Sequence, residues 1–213
     1  MSRALALLEF GSVAVGILAV DRMLKKSPVA LLRCGTVHPG RYLALVGGTV
    51  ASTEEAYAEG VASGKEAAAL VAGICLPDPV DRVAEALVGG RNEPLGDTLG
   101  VLEVNTSPGL LGLVDRLLKS LPVNLVEIRL ADDLGGRALA IIDGELSDVQ
   151  EAAAMAPSCL EECSELLNVA VISRLDETLR TIVGEGTHFA TCRNWKPEGS
   201  EADSDLSGPS VED

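Results

Sequence analysis

The sequence predicts an α/β chain of the α+β kind: two tandem βαββαβα units, each an antiparallel-rich sheet with helices packed on it. Three observations lead there. The 213 residues leave room for two domains of about 90 residues each. Hydrophobic residues make up 47% but aromatics only 2%, and a core of small aliphatic side chains suits thin layers whose helices and strands approach closely. The chain also repeats itself. Residues 7–32 align without a gap on 101–126, with ten identities that include Glu9/Glu103, Asp21/Asp115, Arg22/Arg116, Lys25/Lys119 and Pro28/Pro122. After a two-residue insertion in the second copy, 40–48 match 136–144, and Glu55/Glu151 and Ala56/Ala152 carry the match onward. This density in one order, with one small gap, is a duplication.

Each copy reads alike. A short apolar strand (about 5–10, and 99–105) enters a small-residue turn, where Ser12 or Thr106–Ser107 supplies a helix cap. An amphipathic helix follows and ends near Lys25–Lys26 or Lys119, since basic side chains suit a helix C-terminus. Pro28-Val29 and Pro122-Val123 break into the next strand. Two apolar runs around a Gly-containing turn (30–37 with 41–46, and 123–130 with 137–142) predict a hairpin. An Ala-rich acidic helix comes next (52–66, and 147–160), with Ser52 or Ser147 as cap. A strand (about 68–75, and 166–173) and a short helix (79–88, and 176–183) close each unit. Interleaving with one local hairpin predicts an antiparallel-rich sheet with its helices on one face. The resulting division is 1–90 for the first domain, 91–98 for the linker, 99–186 for the second domain and 187–213 for an acidic tail. The linker lies in GGRNEPLGDT, and the tail lacks the apolar residues needed for a core, so it is expected to be disordered.

A net charge of −15, with 32 acidic against 17 basic residues, argues against nucleic acid and against docking on an anionic membrane. The five cysteines, Cys34, Cys75, Cys159, Cys163 and Cys192, include no CxxC pair, which disfavours a disulfide framework or structural zinc. The apolar N-terminus is not read as a signal peptide. Glu9 interrupts it, and its likeness LGVLEVNTSPGLLGLVDRLLK recurs in mid-chain.

LEFGSVAVGILAVDRMLKKSPVALL and LEVNTSPGLLGLVDRLLKSLPVNLV resemble the first half of the bacterial microcompartment shell domain. GRYLALVGGTVASTEEA and GRALAIIDGELSDVQEA resemble its second hairpin strand, turn and following helix. The likeness covers roughly 4–186. It is best to the tandem-domain type found in propanediol-utilisation shells, which carries an iron–sulfur cluster. The resemblance implies a structural shell subunit within the cytoplasm rather than an enzyme. Its homotrimers would imitate a hexamer, tile the shell facet beside other shell hexamers and trimers, and surround a central pore for metabolites. Encapsulated enzymes are further candidate partners.

The resemblance also assigns residues. Lys25 and Lys119 match the family's edge lysine. Where the family commonly has Pro-Arg-Pro-His, this chain has Leu76-Pro77-Asp78-Pro79 and Ile172-Ser173-Arg174-Leu175, so only Arg174 keeps the edge arginine. The pore-facing loops would be Thr36, Val37, His38, Pro39 and Gly40 in the first copy, and Asp132, Asp133, Leu134 and Gly135, between Ala131 and Gly136, in the second. His38 stands where the cluster-bearing type has a cysteine. Three thiolates can hold corners of a four-iron cluster, whereas three imidazoles suit a single metal ion. No cofactor is therefore assigned. A metal ion on His38, or a residual cluster on the threefold axis, remains the alternative in the form of an electron-relay subunit.

Other candidates carry less. His188 and Cys192, four apart, offer only two ligands. Asp132-Asp133 reads as a solvated turn, and the duplicated Glu9/Glu103 and Asp21/Asp115 read as structural rather than acid–base pairs. The sequence has no nucleophile–His–acid grouping, no GxGxxG and no P-loop.

Overall fold

The structure is a computed structural model that describes residues 4–131, 133–160 and 164–188. The first unit comprises β1 (Ala4–Phe10), α1 (Val13–Lys26), β2 (Ala30–Val37), β3 (Arg41–Gly48), α2 (Val50–Glu66), β4 (Leu70–Leu76) and α3 (Asp81–Leu87). The second comprises β5 (Thr98–Val104), α4 (Ser107–Ser120), β6 (Asn124–Leu130), β7 (Ala138–Gly144), α5 (Leu146–Met155), β8 (Leu166–Ser173) and α6 (Glu177–Glu185). The expected βαββαβα order is present twice. The sheets run β2-β3-β1-β4 and β6-β7-β5-β8, with antiparallel neighbours throughout. Even the register is duplicated. Leu7 sits between Leu45 and Ile74 as Val101 sits between Ile141 and Ala170, and both central strands shift register just after Glu9 or Glu103.

Strand alternation then decides what covers each face. Ala6, Leu8 and Phe10 of β1 pack beneath Ala19, Val20 and Met23 of α1 and Ala56 of α2. Leu5 and Leu7 point the other way, toward Val83, Ala86 and Leu87 of α3. The helices therefore lie on both faces, not on one as the sequence reading expected. The reason is that α3 is held by groups no local pattern displays. Arg82 of α3 donates to the carbonyls of Leu125 (3.1 Å) and Val126 (3.3 Å) on β6, so the first unit's last helix also bridges to the second sheet. One apolar cluster runs from Leu5, Leu7 and Leu76 through Leu111 of α4 to Leu102 and Leu117.

Local details depart from expectation where tertiary contacts intervene. α1 is capped by Ser12 and α4 by Thr106, as their positions suggest. α2, however, begins at Val50 with Thr49 as cap, its hydroxyl accepting from the N–H of Ser52. α5 begins after Glu145, so Ser147 falls inside its first turn. That helix stops at Met155 and tightens into a 3-10 turn at Ala156–Cys159, because Pro157 brings no N–H for another α-helical bond. β5 takes in Thr98, the last residue of the expected linker. The preceding segment is pinned by Asp143, which is 1% exposed and accepts from the N–H groups of Leu95 (2.7 Å) and Gly96 (2.5 Å). Of the expected tail, Thr187 and His188 are described, and both lie against Arg129. The remainder falls outside the described residues.

Candidate functional site

The two loops singled out in the sequence follow the hairpin strands β2 and β6 and meet at one end of the molecule. The backbone of Gly136 needs a positive φ of 84°, and a Cβ there would lie 2.8 Å from Pro39 Cδ and 3.4 Å from the His38 carbonyl oxygen. The first copy's loop thus rests directly on the second's. Thr36, His38, Pro39 and Gly40 are exposed, whereas Val37 is buried. In the second loop Asp133 and Gly135 are exposed and Leu134 is half-buried. Asp132 lies outside the described residues. A cleft of about 600 Å³ opens beside the loops, lined in part by Arg33, Cys34, Thr36, Arg129, Asp133 and His188.

What ties the loops together is a junction the sequence reading did not single out. Glu9 on β1 is fully buried, and its carboxylate accepts from Arg41 at 2.5 Å and from the N–H of Ser107 at 2.8 Å. Ser107 opens α4, so a first-unit carboxylate sits at the positive end of a second-unit helix. Arg41, the first residue of β3 after the loop, also donates to the carbonyls of Asn105 and Gly136, each at 3.3 Å. Burial holds the Glu9 carboxyl above its ordinary range. The Arg41 hydrogen bond, the Ser107 N–H and the Arg41 charge each pull it partway back. The one available signal was the Gly-Arg pair repeated at Gly40-Arg41 and Gly136-Arg137.

The duplicated partners are not equivalent. Glu103 is half-buried and accepts from Asn168 at 3.0 Å, and Arg137 is exposed. Asp115 is 5% exposed and accepts from the Val80 N–H, while Asp21 is exposed and, among the described residues, paired with Lys25, one turn along, at 2.7 Å. Lys119 bonds the Asp78 carbonyl (2.6 Å) and Asp115 (2.7 Å), so it braces the two units against each other. Lys25 is open on the outside of α1. Arg174 is exposed with a φ of 54° just after β8.

The first loop offers an imidazole and no thiolate. Cys34 stands back in β2, and its sulfur is hydrogen-bonded with the Tyr42 hydroxyl, whose ionisation this bond and burial push up to about 12. A four-iron cluster takes thiolates at its corners, so the loop's donor set does not match one. Cys75 is half-buried, and desolvation raises its thiol, as does the charge of Glu54. Cys159 is buried. Cys163 and Cys192 lie outside the described residues, so the His188–Cys192 pairing does as well. Among the described residues no group of three or more His, Cys, Asp or Glu is gathered for a metal, and no helix is long and apolar enough to cross a membrane.

Two repeated four-stranded antiparallel units, joined head to tail with their hairpin loops side by side, define a tandem shell-domain protein. The BMC domain model matches residues 4–79 and 98–175, and the chain belongs to that family as a tandem-domain bacterial microcompartment shell protein. It is 31% identical over 186 residues to the bacterial microcompartment shell protein PduT of Citrobacter freundii, covering 87% of this chain and all of that one. It is 27% identical over 198 residues to the carboxysome assembly protein CcmO of Synechocystis sp., covering 87% of this chain and 66% of that one. Among solved structures, a microcompartment protein from Desulfitobacterium hafniense superposes with a TM-score of 0.70 at 27% identity, over 85% of this chain and all of the other. The fused permuted hexameric shell protein MSM0275 shares the fold, with a TM-score of 0.52 at 17% identity over 74% and 81% of the two chains. The chain is accordingly a structural component of a microcompartment shell, a layer built jointly with other shell proteins.

Proposed function

We propose that three copies of this chain close into a ring of six domains that tiles the shell facet, with the paired loops around its axis forming a metabolite pore. The observation that supports this reading is the one-sided junction. Inside the chain, Glu9 and Arg41 of unit one grip the start of α4 in unit two. The duplicate grip, Glu103 with Arg137, is left at the far end of the chain, and the duplicate of the gripped segment, the start of α1, at the near end. A contact whose two halves lie on different surfaces is heterologous, and it is satisfied by a closed ring. Selectivity then comes from pore width and loop polarity, and the chain needs no covalent chemistry of its own. Edge-to-edge packing of the discs falls to the exposed Lys25 and Arg174, and Lys119 contributes through the brace it makes with Asp115.

Native mass spectrometry of the full chain is expected to give three times the 22.1 kDa subunit, and negative-stain microscopy to show discs that pack into sheets. A stable dimer, or a monomer that never forms sheets, would overturn the reading.

Titration of the trimer with a divalent transition metal checks the relay alternative, which requires uptake that His38→Ala removes.

A further inference from the structure

The duplication permits the outer face of α1 to be read against a buried counterpart. Ala14, Ile17, Leu18 and Leu24 form an apolar stripe at helical spacing, and all are exposed, Ile17 at 55% and Leu18 at 47%. The same positions on α4 are Pro108, Leu111, Gly112 and Leu118, of which Pro108 and Leu111 are buried. They lie against β4 of the first unit. At Gly112 the contact is so close that a Cβ would stand 2.3 Å from Ile74 Cδ1. The counterpart of β4 is β8, where 168–171 are all exposed, including Val169 at 42% and Val171 at 36%. One exposed helix face and one exposed strand therefore reproduce, at opposite ends of the chain, the two halves of a junction already formed inside it.

The registers make the comparison residue by residue. Ile74 pairs with Leu7 as Ala170 pairs with Val101, so Ala170 is the counterpart of Ile74, and the repeat alignment makes Leu18 the counterpart of Gly112. Inside the chain a glycine on the helix meets an isoleucine on the strand. At the open ends the helix carries leucine and the strand carries alanine. The volume has changed sides. The same exchange occurs within each domain core: Tyr42 fills the space over Gly16, where a Cβ would lie 2.5 Å from its ring, and the corresponding pair is Ala138 and Leu110.

We infer that a second copy of this chain docks its α1 on β8 with Leu18 over Ala170, and that this reversed size pair makes unit two accept only unit one of the next copy. The alternatives are disfavoured sterically. Leu18 against Ile74 would crowd two large side chains where even a Cβ obliges the Ile74 Cδ1 to move, and Gly112 against Ala170 would leave a void. Because α4 and β4 are already joined inside the chain, the size pair acts against exchange of units between chains, in the manner of specificity achieved by clashes against wrong partners. This inference rests on the homotrimer reading, and the experiment separates the two.

The test uses the full chain and compares Leu18→Gly, Ala170→Ile and the double variant by sedimentation over a dilution series, with circular dichroism as the folding control. Both positions are exposed within one chain, so each variant should fold, with Leu18→Gly costing α1 about 1 kcal/mol of helix propensity that the folding control reads. Each single variant is expected to raise the concentration at which trimers dissociate by at least ~10-fold. The double variant rebuilds the internal Gly–Ile combination and should recover most of the loss. Trimers indifferent to both single changes, or a folded double variant no better than Ala170→Ile, would overturn the size pairing while the ring survives. A wild-type chain that forms no trimer would overturn the ring itself.

Discussion

Arg41→Ala is expected to destabilise the chain by about 3–5 kcal/mol at neutral pH, because it strands the Glu9 carboxylate in a fully buried site. The substitution removes three bonds at once: the ion pair with Glu9 and the donations to the carbonyls of Asn105 and Gly136. Among the described residues the Ser107 N–H then remains on the carboxylate. The pH dependence follows from the direction of the Glu9 shift. Burial already raises its folded pKa above the unfolded value, and Arg41 is the chief opposing influence, so losing Arg41 raises it further. A raised carboxyl pKa means that the folded state holds a proton the unfolded chain releases. Stability contributed in this way is complete below the unfolded pKa and disappears as pH rises through the folded one. The deficit of the variant should therefore be large at neutral pH and shrink as the solution is acidified toward the ordinary carboxylate range. Urea unfolding of both proteins at several pH values measures it. A deficit below about 1 kcal/mol, or one that does not change with pH, would show that Glu9 tolerates its burial without Arg41.

The elements of this fold were legible because the sequence contains two drafts of the same unit. Ambiguities in one copy, such as a strand that could pass for a signal segment, are resolved by the other. What strand and helix periodicity cannot display is which faces end up between the units. α3 crosses to the opposite side of its sheet because Arg82 finds carbonyls on β6, a contact some 43 residues away along the chain. Asp143 reads as an ordinary turn residue after an apolar strand, yet it holds the linker from a nearly dry site. The loops were placed by resemblance, and the structure brings Pro39 and Gly136 together at one end. The grip behind them was missed because Glu9 and Glu103, identical letters at identical positions, differ only in whether a neighbour is present.

Leu111→Ala should cost the chain about 2–5 kcal/mol of unfolding free energy, whereas Ile17→Ala, at the same position of the repeat, should cost the isolated chain little. Leu111 has no solvent exposure and lies in the apolar cluster shared by the two units, so truncation leaves a cavity where β4 and α4 meet. Ile17 is 55% exposed within one chain and has little surrounding structure to lose. Assembly reverses the ranking. If the next copy's β8 covers α1 as β4 covers α4, Ile17→Ala removes the corresponding contact three times per ring, and trimers should dissociate at a concentration at least ~10-fold higher. Chemical denaturation at concentrations below the dissociation point isolates the folding effect, and sedimentation isolates the assembly effect. Comparable losses of folding stability in the two variants would mean that α1 is already covered within the chain. An Ile17→Ala protein whose trimers are as stable as the wild type would mean that its stripe faces solvent in the shell. The expected outcome is that one duplicated position serves folding in one unit and assembly in the other, because the proposed ring would repeat between chains the contact that β4 and α4 make within one.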